Sequence, residues 1–203
     1  SGMLPGDELL ESLQNVAARN TGDFFVYAIG EPVMDLDGAP YGGSRHPVEC
    51  SLDGRLFARF HLDIGMGDIQ REPYEWTEPR DWLGFAGITT GQFPSISREE
   101  HFAQKVHAYT LHRGDRTNTR VKDLIDLVLL IDADNLDKQR LRQDIEDTFQ
   151  RRNTHSVPNA LELPPDFWGA VFEKLAVDCE IDVNIHTQFE KVSRYYSEIF
   201  RED

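Results

Sequence analysis

The chain has 203 residues, of which 39% are hydrophobic and 28% charged, and its formal net charge at pH 7 is −15. This length and apolar content are enough for one globular body with a substantial core, and the acidic balance disfavours bulk attraction to nucleic acid or anionic membranes. The sequence has no apolar stretch near the roughly 20 residues that span a bilayer and no charged leader before an apolar segment. It therefore predicts a cytoplasmic protein with no membrane partner.

The first part of the chain predicts a helix and then a small sheet. Apolar residues recur at helical spacing over residues 7–19, and residues 24–29 favour a strand. The dipeptide Asp53-Gly54 favours a tight hairpin turn between two strand-like segments, residues 46–52 and 55–64. This hairpin is the clearest local prediction in the sequence.

The second hairpin strand carries a carboxylate that has two interpretations. Strand alternation places Asp63 on the more polar face, at the C-terminal end and ahead of a Gly-rich exit. The pattern alone favours a solvated strand-end group or a turn cap, whereas a metal ligand needs other carboxylates nearby. Residues 70–97 are rich in Pro and Trp and predict an irregular connector packed by aromatic rings. It joins a sheet-bearing part, residues 3–95, to a helical part, residues 96–203.

A capping box marks the start of the helical part. Ser97 and Glu100 have the Ser-x-x-Glu spacing that satisfies exposed amides at a helix N-terminus, so a helix should begin near Arg98. Lys105 then borders the packed side of this helix. Its ammonium either extends to water or reaches an anionic ligand such as a nucleotide phosphate.

The helix after Thr119 is apolar nearly all round and should be surrounded by other elements. Its charges, Lys122, Asp123 and Asp126, lie in the first two turns. A purely structural explanation is that Asp123 favours the helix N-terminus and that Lys122 pairs with Asp126 at i,i+4. Asp126 fits this explanation less well because it stands between Ile125 and Leu127, and a buried charge is costly unless it is paired or serves a site.

The last third predicts three further helical segments. Residues 137–151 indicate an exposed helix of mixed charge, whose arginines form the one modest basic cluster and the first place to look for RNA. A helix starting at Pro165 and a final helix around residues 189–199 carry aromatic stripes. These stripes indicate a core or a subunit interface rather than a base-stacking platform.

Several of these segments together resemble the AbiEii/AbiGii abortive-infection toxin group of nucleotidyltransferases, related to the polymerase-β-like nucleotidyltransferase fold. The resemblance implies an α/β (α+β) class, with a partial nucleotidyltransferase-like mixed sheet and hairpin followed by a C-terminal helical bundle. Gln104 departs from the pattern, since the family usually has Glu before the motif Lys. The runs that carry the resemblance are residues 59–65, 83–88, 99–110, 120–130 and 148–155.

The expected N-terminal motifs of that group are missing. The family's chemistry needs a Gly-Ser-type nucleotide-binding turn and an Asp-x-Asp pair ahead of the strand that carries the third carboxylate. Asp35 and Asp37 have the right spacing, but Pro32 and a following Gly-Ala-Pro indicate a turn, and residues 42–44 favour a loop before the hairpin. The chain therefore resembles the later three-quarters of the family, with the sheet-bearing part incomplete at its N-terminus.

For a complete member, the resemblance implies transfer of a nucleoside monophosphate from an NTP to an acceptor hydroxyl, such as one on tRNA, by the toxin of a type IV toxin–antitoxin system. Two Mg²⁺ ions held by three carboxylates would activate the hydroxyl and bridge the phosphates. Asp63 would be the third carboxylate and a metal ligand, and Lys105 would neutralise triphosphate charge. The other implied site residues are Lys122, Asp123 and Asp126 for catalysis and His101, Arg116 and Arg120 for substrate binding.

Two other functions stay open. The chain could be a catalytically inactive, protein-binding module that docks a cognate antitoxin or completes an active site on another chain. It could instead be a metal hydrolase that uses His61, Asp63, His101 and His107. The spacing of these four residues matches no tight metal-binding pattern, and His101 and His107 do not share a helical face.

Overall fold

A computed structural model describes residues 6–22, 24–36, 39–68, 72, 74–82, 84–87, 91–112, 114 and 117–201. The fold is α+β, as predicted, with small antiparallel sheets and a larger helical part. The chain divides into two compact units, Ser1–Asp68 and Ile69–Asp203. The second unit therefore includes the short strands that precede the helices.

The described residues of the first unit form a small sheet and one helix. The other three strands all pair with β3, and each of these pairings is antiparallel. The described pairings therefore differ from the mixed sheet that the resemblance implied. Gln14 ties the helix to the sheet by donating to the carbonyl oxygen of Ile29 at 3.0 Å. The elements are α1 (Gly6–Ala17), β1 (Phe25–Ile29), β2 (Met34–Asp35), β3 (Gly43–Leu52) and β4 (Arg55–Gly65).

The β3–β4 hairpin turns where the sequence predicted. Asp53 and Gly54 have φ values of 49° and 70°, as a tight primed turn requires. β3 begins earlier than predicted, at Gly43, so residues 43–44 belong to the strand and not to a preceding loop. A bulge also adds Phe57 to β4, since Cys50 faces Ala58 whereas Ser51 faces Leu56.

The segment between the two parts is more regular and more exposed than expected. β5 (Glu75–Thr77) pairs antiparallel with β6 (Phe93–Ser95), and a 3₁₀ turn spans Gly84–Ala86. The exposed fractions of Trp76 and Trp82 are 63% and 71%. The prediction that aromatic rings pack this connector was therefore wrong for these two side chains.

In the described residues of the second unit, five α-helices build the core. α3 packs against α2, α5 and α6, which confirms the prediction that this apolar helix is surrounded, and Leu124, Leu127 and Val128 on it are fully buried. The helices are α2 (Arg98–Thr110), α3 (Val121–Asp132), α4 (Lys138–Arg152), α5 (Gly169–Asp178), preceded by a 3₁₀ turn (Asp166–Trp168), and α6 (Ile185–Ile199).

α4 is not the exposed helix that its composition suggested. Leu141, Ile145 and Phe149 recur at i, i+4 and i+8 and are buried against the rest of the unit. By contrast, the predicted aromatic stripes are largely core, since Trp168 and Tyr196 are almost fully buried. None of the described helices is long and apolar enough to cross a membrane.

Candidate functional site

α2 and α3 bring one lysine and two aspartates together. The predicted cap is present, because the Ser97 hydroxyl accepts from the Glu100 amide at 3.1 Å and α2 begins at Arg98. One face of α2 then presents Lys105 to the first two turns of α3. The Nζ of Lys105 lies 2.6 Å from Oδ2 of Asp126 and 3.2 Å from Oδ1 of Asp123.

The three side chains differ in their exposure to water. The side chain of Asp123 is 6% exposed, that of Lys105 25% and that of Asp126 33%. Arg120 places Nη1 3.7 Å from the second oxygen of Asp123, so two cations and two carboxylates offset each other. Lys122 is exposed, and Asp126 pairs with Lys105 rather than with Lys122 as the simple helix pattern predicted.

The cluster affects the protonation of its members. Burial lowers the pKa of Lys105, but the hydrogen bond with Asp126 and the charges of both aspartates outweigh it, so the net pKa is raised. His101, one turn earlier on α2, has a lowered pKa because it is partly buried and faces the Lys105 charge, although Asp126 and Asp123 oppose this effect. Lys105 is therefore a fixed cation beside a neutral imidazole at pH 7.

Asp63 belongs to the first unit and has a different environment. Arg45, directly opposite it in the β3–β4 register, donates to both carboxylate oxygens at 2.6 Å. The hydrogen bonds from Arg45 hold the pKa of Asp63 below its usual range, against a smaller effect of burial. Asp63 is thus a cross-strand ion-pair partner, and the remaining predicted site residue, Arg116, lies outside the described residues.

The described residues do not fit the Mg²⁺ site that the resemblance implied. Within the described ranges, no three His, Cys, Asp or Glu side chains gather where they could hold a metal ion. Both oxygens of Asp63 face Arg45, whereas Asp123 and Asp126 face the ammonium of Lys105. The same result leaves the metal-hydrolase hypothesis without a ligand set in this part of the chain.

A polar network that the sequence did not predict lies at the end of α2. The Thr110 hydroxyl donates to the Val106 carbonyl oxygen at 2.9 Å, so its oxygen must accept from Nε2 of His155, 2.8 Å away. In a neutral His155, Nδ1 then accepts from the Thr154 hydroxyl at 2.9 Å. Thr154 in turn accepts from Nε2 of His107 at 2.8 Å. The one sequence signal was that Thr154 and His155 end a run with family resemblance.

The basic cluster on α4 offers less free positive charge than its sequence indicates. Arg140 lies 3.9 Å from Glu99 and 3.7 Å from Asp144, both of which are buried. Arg142 pairs with Glu146 at 3.1 Å. These acids offset the arginines, so this face is a weaker candidate for RNA binding than predicted.

The chain matches the model of a known protein family. A family model described as "Nucleotidyl transferase AbiEii toxin, Type IV TA system" matches residues 6–191, which span the four-stranded sheet, α1 to α5 and the first part of α6. No curated protein matches the chain. The match includes both the Lys105 cluster and the polar network beside it.

Proposed function

The chain belongs to the AbiEii nucleotidyl transferase toxin family of type IV toxin–antitoxin systems, and we propose that it transfers a nucleoside monophosphate from an NTP to an acceptor such as tRNA. Family membership supports a toxin role, a nucleotide substrate and a cognate antitoxin. The single observation that carries the proposal is the convergence of Lys105, Asp123 and Asp126 from two helices.

Lys105 is the group we assign to a nucleotide phosphate. Its ammonium is a compact point charge, and the buried carboxylate of Asp123 holds it in place from one side. Asp126 is more exposed and gives the ammonium its shorter contact. A phosphate oxygen can replace Asp126 at Lys105, because the displaced carboxylate can turn to water at low cost.

The remaining charges of α3 suit an acceptor. Once displaced, Asp126 can accept a hydrogen bond from the attacking hydroxyl and so orient it. Lys122 is exposed and Arg120 is half-buried at the start of the same helix, where they can meet acceptor phosphates. We assign Arg116 to the same phosphates and His101 to substrate binding, both on the family resemblance.

We propose a catalytic role for Asp63 on the family resemblance alone. Its carboxylate is engaged by Arg45 on both oxygens, so it must leave this partner before it binds anything else. Because the described residues do not fit Mg²⁺, we assign the ion no step in the reaction.

The internal pairing of these charges also favours a second function, a catalytically inactive form that acts as a protein-binding module. Lys105 and Asp63 are both neutralised within the chain, as structural ion pairs are. In that case the cluster would support the packing of α2 on α3 and the chain would bind its antitoxin without transferring nucleotides. A direct assay of transfer separates the two functions.

The test incubates the purified chain with each α-labelled NTP and total tRNA, and follows label on the tRNA. Transfer should fall at least about a hundredfold in Lys105→Ala and in Asp126→Asn, while Lys174→Ala, an exposed lysine on α5, keeps normal activity. Circular dichroism confirms that each variant is folded. Absence of label with every NTP, from folded protein, would favour the binding module.

A further inference from the structure

β4 is an outer strand of the sheet in the first unit. Among the described residues it pairs only with β3. It is 11 residues long, which is long for an edge strand, and it contains no Pro or Lys, two residues that commonly protect such edges. The bulge lies near the start of the strand, where Cys50 faces Ala58 and Ser51 faces Leu56. Residues 58–64 therefore form a regular edge that can accept another strand.

The hydrogen bonds of β3 show which backbone groups of β4 point outward. The amides of Leu36 and Val33 donate to the carbonyl oxygens of Gly43 and Arg45, each at 2.9 Å, so these carbonyl groups point away from β4. The alternate, even-numbered residues of β3 therefore bond to β4, and their partners in the register of residues 58–64 are also even-numbered. The outer edge of β4 thus carries the amide and carbonyl groups of Arg59, His61 and Asp63.

The even-numbered side chains give this edge an apolar face. Phe60 faces Val48 in the β3–β4 register, and directly opposite residues share one face of a sheet. Phe60 is nevertheless 46% exposed, whereas Val48 is only 3% exposed. Leu62 and Ile64 continue the same face and are partly buried. A strand added beside β4 with apolar side chains at these positions would bury more of Phe60.

The odd-numbered side chains carry opposite charges on the two sides of His61. Arg59 pairs with Glu49 at 2.8 Å, and Asp63 pairs with Arg45 at 2.6 Å. Both ion pairs are open to water, and in each of them the residue on β4 is the outer member. The edge is therefore positive towards one end of the segment and negative towards the other. An antiparallel copy of the same segment presents these charges in the opposite order.

We infer that β4 pairs antiparallel with β4 of a second copy of this chain, with the two His61 residues facing each other at the centre. In this register Arg59 of each copy faces Asp63 of the other, and Phe60 faces Leu62 on the apolar face. Registers centred on Arg59 or on Asp63 bring like charges together, and those centred on Phe60 or on Leu62 give no pair of Arg59 with Asp63. The contact is small, so the dimer is weak and depends on concentration. It does not depend on nucleotide transfer.

The test first follows the mass of the chain by sedimentation equilibrium between about 1 µM and about 500 µM, where the mass should rise towards that of a dimer. Amide hydrogen exchange at the two concentrations then tests the register. The outward amides of Arg59, His61 and Asp63 should exchange at least about tenfold more slowly at the higher concentration. The amides of Phe60 and Leu62, which face β3, should exchange equally at both. A chain that stays monomeric, or a dimer that leaves the three outward amides unprotected, would overturn the inference.

Two variants with reversed charge test the contact between the copies. Arg59→Glu places two acids opposite each other and Asp63→Lys places two bases opposite each other, so each variant alone should raise the Kd of the dimer at least about tenfold. An equimolar mixture of the two restores opposite charges at both contacts and should return the Kd to within about threefold of the original value.

The mixture also separates pairing from folding, because a variant that has lost its own structure is not repaired by mixing. Arg55→Glu makes the same change at an exposed position outside the paired segment and should leave the Kd unchanged. If the mixture of folded variants associates no better than either variant alone, the proposed register is wrong.

Discussion

The ammonium of Lys105 lies 3.2 Å from a carboxylate oxygen of Asp123 that is nearly inaccessible to water. This ion pair joins α2 to α3 at the point where α3 begins. Asp123 is also 3.7 Å from Arg120, a weaker contact at the edge of the site. Lys105 is therefore the main group that offsets the cost of burying the charge of Asp123.

Replacing Lys105 by Met should destabilise the second unit by about 3 kcal/mol, because it leaves the buried Asp123 charge without its main partner. Asp126→Asn removes a partner that is one-third exposed and should cost only about 1 kcal/mol. Urea unfolding followed by tryptophan fluorescence measures both values. Lys174→Met, at an exposed position on α5, is the control and should be nearly neutral. A larger loss for Asp126→Asn than for Lys105→Met would contradict the assignment of Asp123 as the buried anchor.

Stability should decrease as the pH falls below about 6.5, the usual value for histidine. Burial lowers the pKa of His101 and of His155 in the folded state, so the unfolded chain takes up these protons first. Each histidine therefore makes its full contribution to the free energy of unfolding above the pKa that it has in the unfolded chain. This contribution is lost as the pH falls through the lower pKa that the histidine has in the folded protein.

Thermal unfolding between pH 8 and pH 5 tests this prediction. The decrease on acidification should become smaller in His101→Gln and in His155→Gln, whereas His186→Gln, an exposed histidine on α6, should leave the profile unchanged. If the unmodified chain and the three variants lose stability equally on acidification, neither His101 nor His155 is responsible for the loss.

The network at the end of α2 should fix the tautomers of its two histidines. Because the Thr110 hydroxyl donates to a backbone carbonyl, His155 must carry its proton on Nε2 to donate to Thr110. The Thr154 hydroxyl donates to Nδ1 of His155, so it accepts from His107, which therefore also carries its proton on Nε2. Long-range ¹H–¹⁵N correlation spectra at pH 7.5 should show both. A neutral ring of either histidine with its proton on Nδ1 would contradict this order of hydrogen bonds.

Thr154→Val removes the hydroxyl that links the two rings while keeping the shape of the side chain. It should destabilise the second unit by about 2 kcal/mol, because Nε2 of the buried His107 loses its acceptor. Thr187→Val on the exposed start of α6 makes the same chemical change without such a partner, and a change within about 0.5 kcal/mol is expected there. Equal losses in the two variants would show that the Thr154 hydroxyl has no special role.

Local signals in the sequence predicted the elements that depend on neighbouring residues. The cap at Ser97 and the turn at Asp53-Gly54 are short-range interactions, so they could be read directly. The side of α4 that contains Leu141 was missed because charged residues dominate its composition, although the apolar residues keep helical spacing.

The partners of the site residues were harder to predict, because they come from other elements. Asp63 looked like a free strand-end carboxylate because Arg45 faces it only through the β3–β4 register, which contains a bulge. In the same way, Asp126 finds Lys105 on a neighbouring helix instead of Lys122 on its own. Sequence spacing indicates which side chains share a face, but the packing of helices and strands decides which of them meet.

Gly43 should be essential for the strand pairing that holds Arg45 opposite Asp63. It faces Gly65 in the β3–β4 register, and a Cβ at this position would meet the carbonyl oxygen of Ile64. Gly43→Ala should therefore weaken this end of the hairpin by about 1–3 kcal/mol. Hydrogen exchange is the appropriate measurement, since the first unit contains no tryptophan, and the amide of Ser44, which faces Ile64 in the register, should exchange at least about tenfold faster. Gly91→Ala, where an added Cβ meets open space, is the matched control. Unchanged exchange at Ser44 in Gly43→Ala would mean that the strands can shift to accept the methyl group.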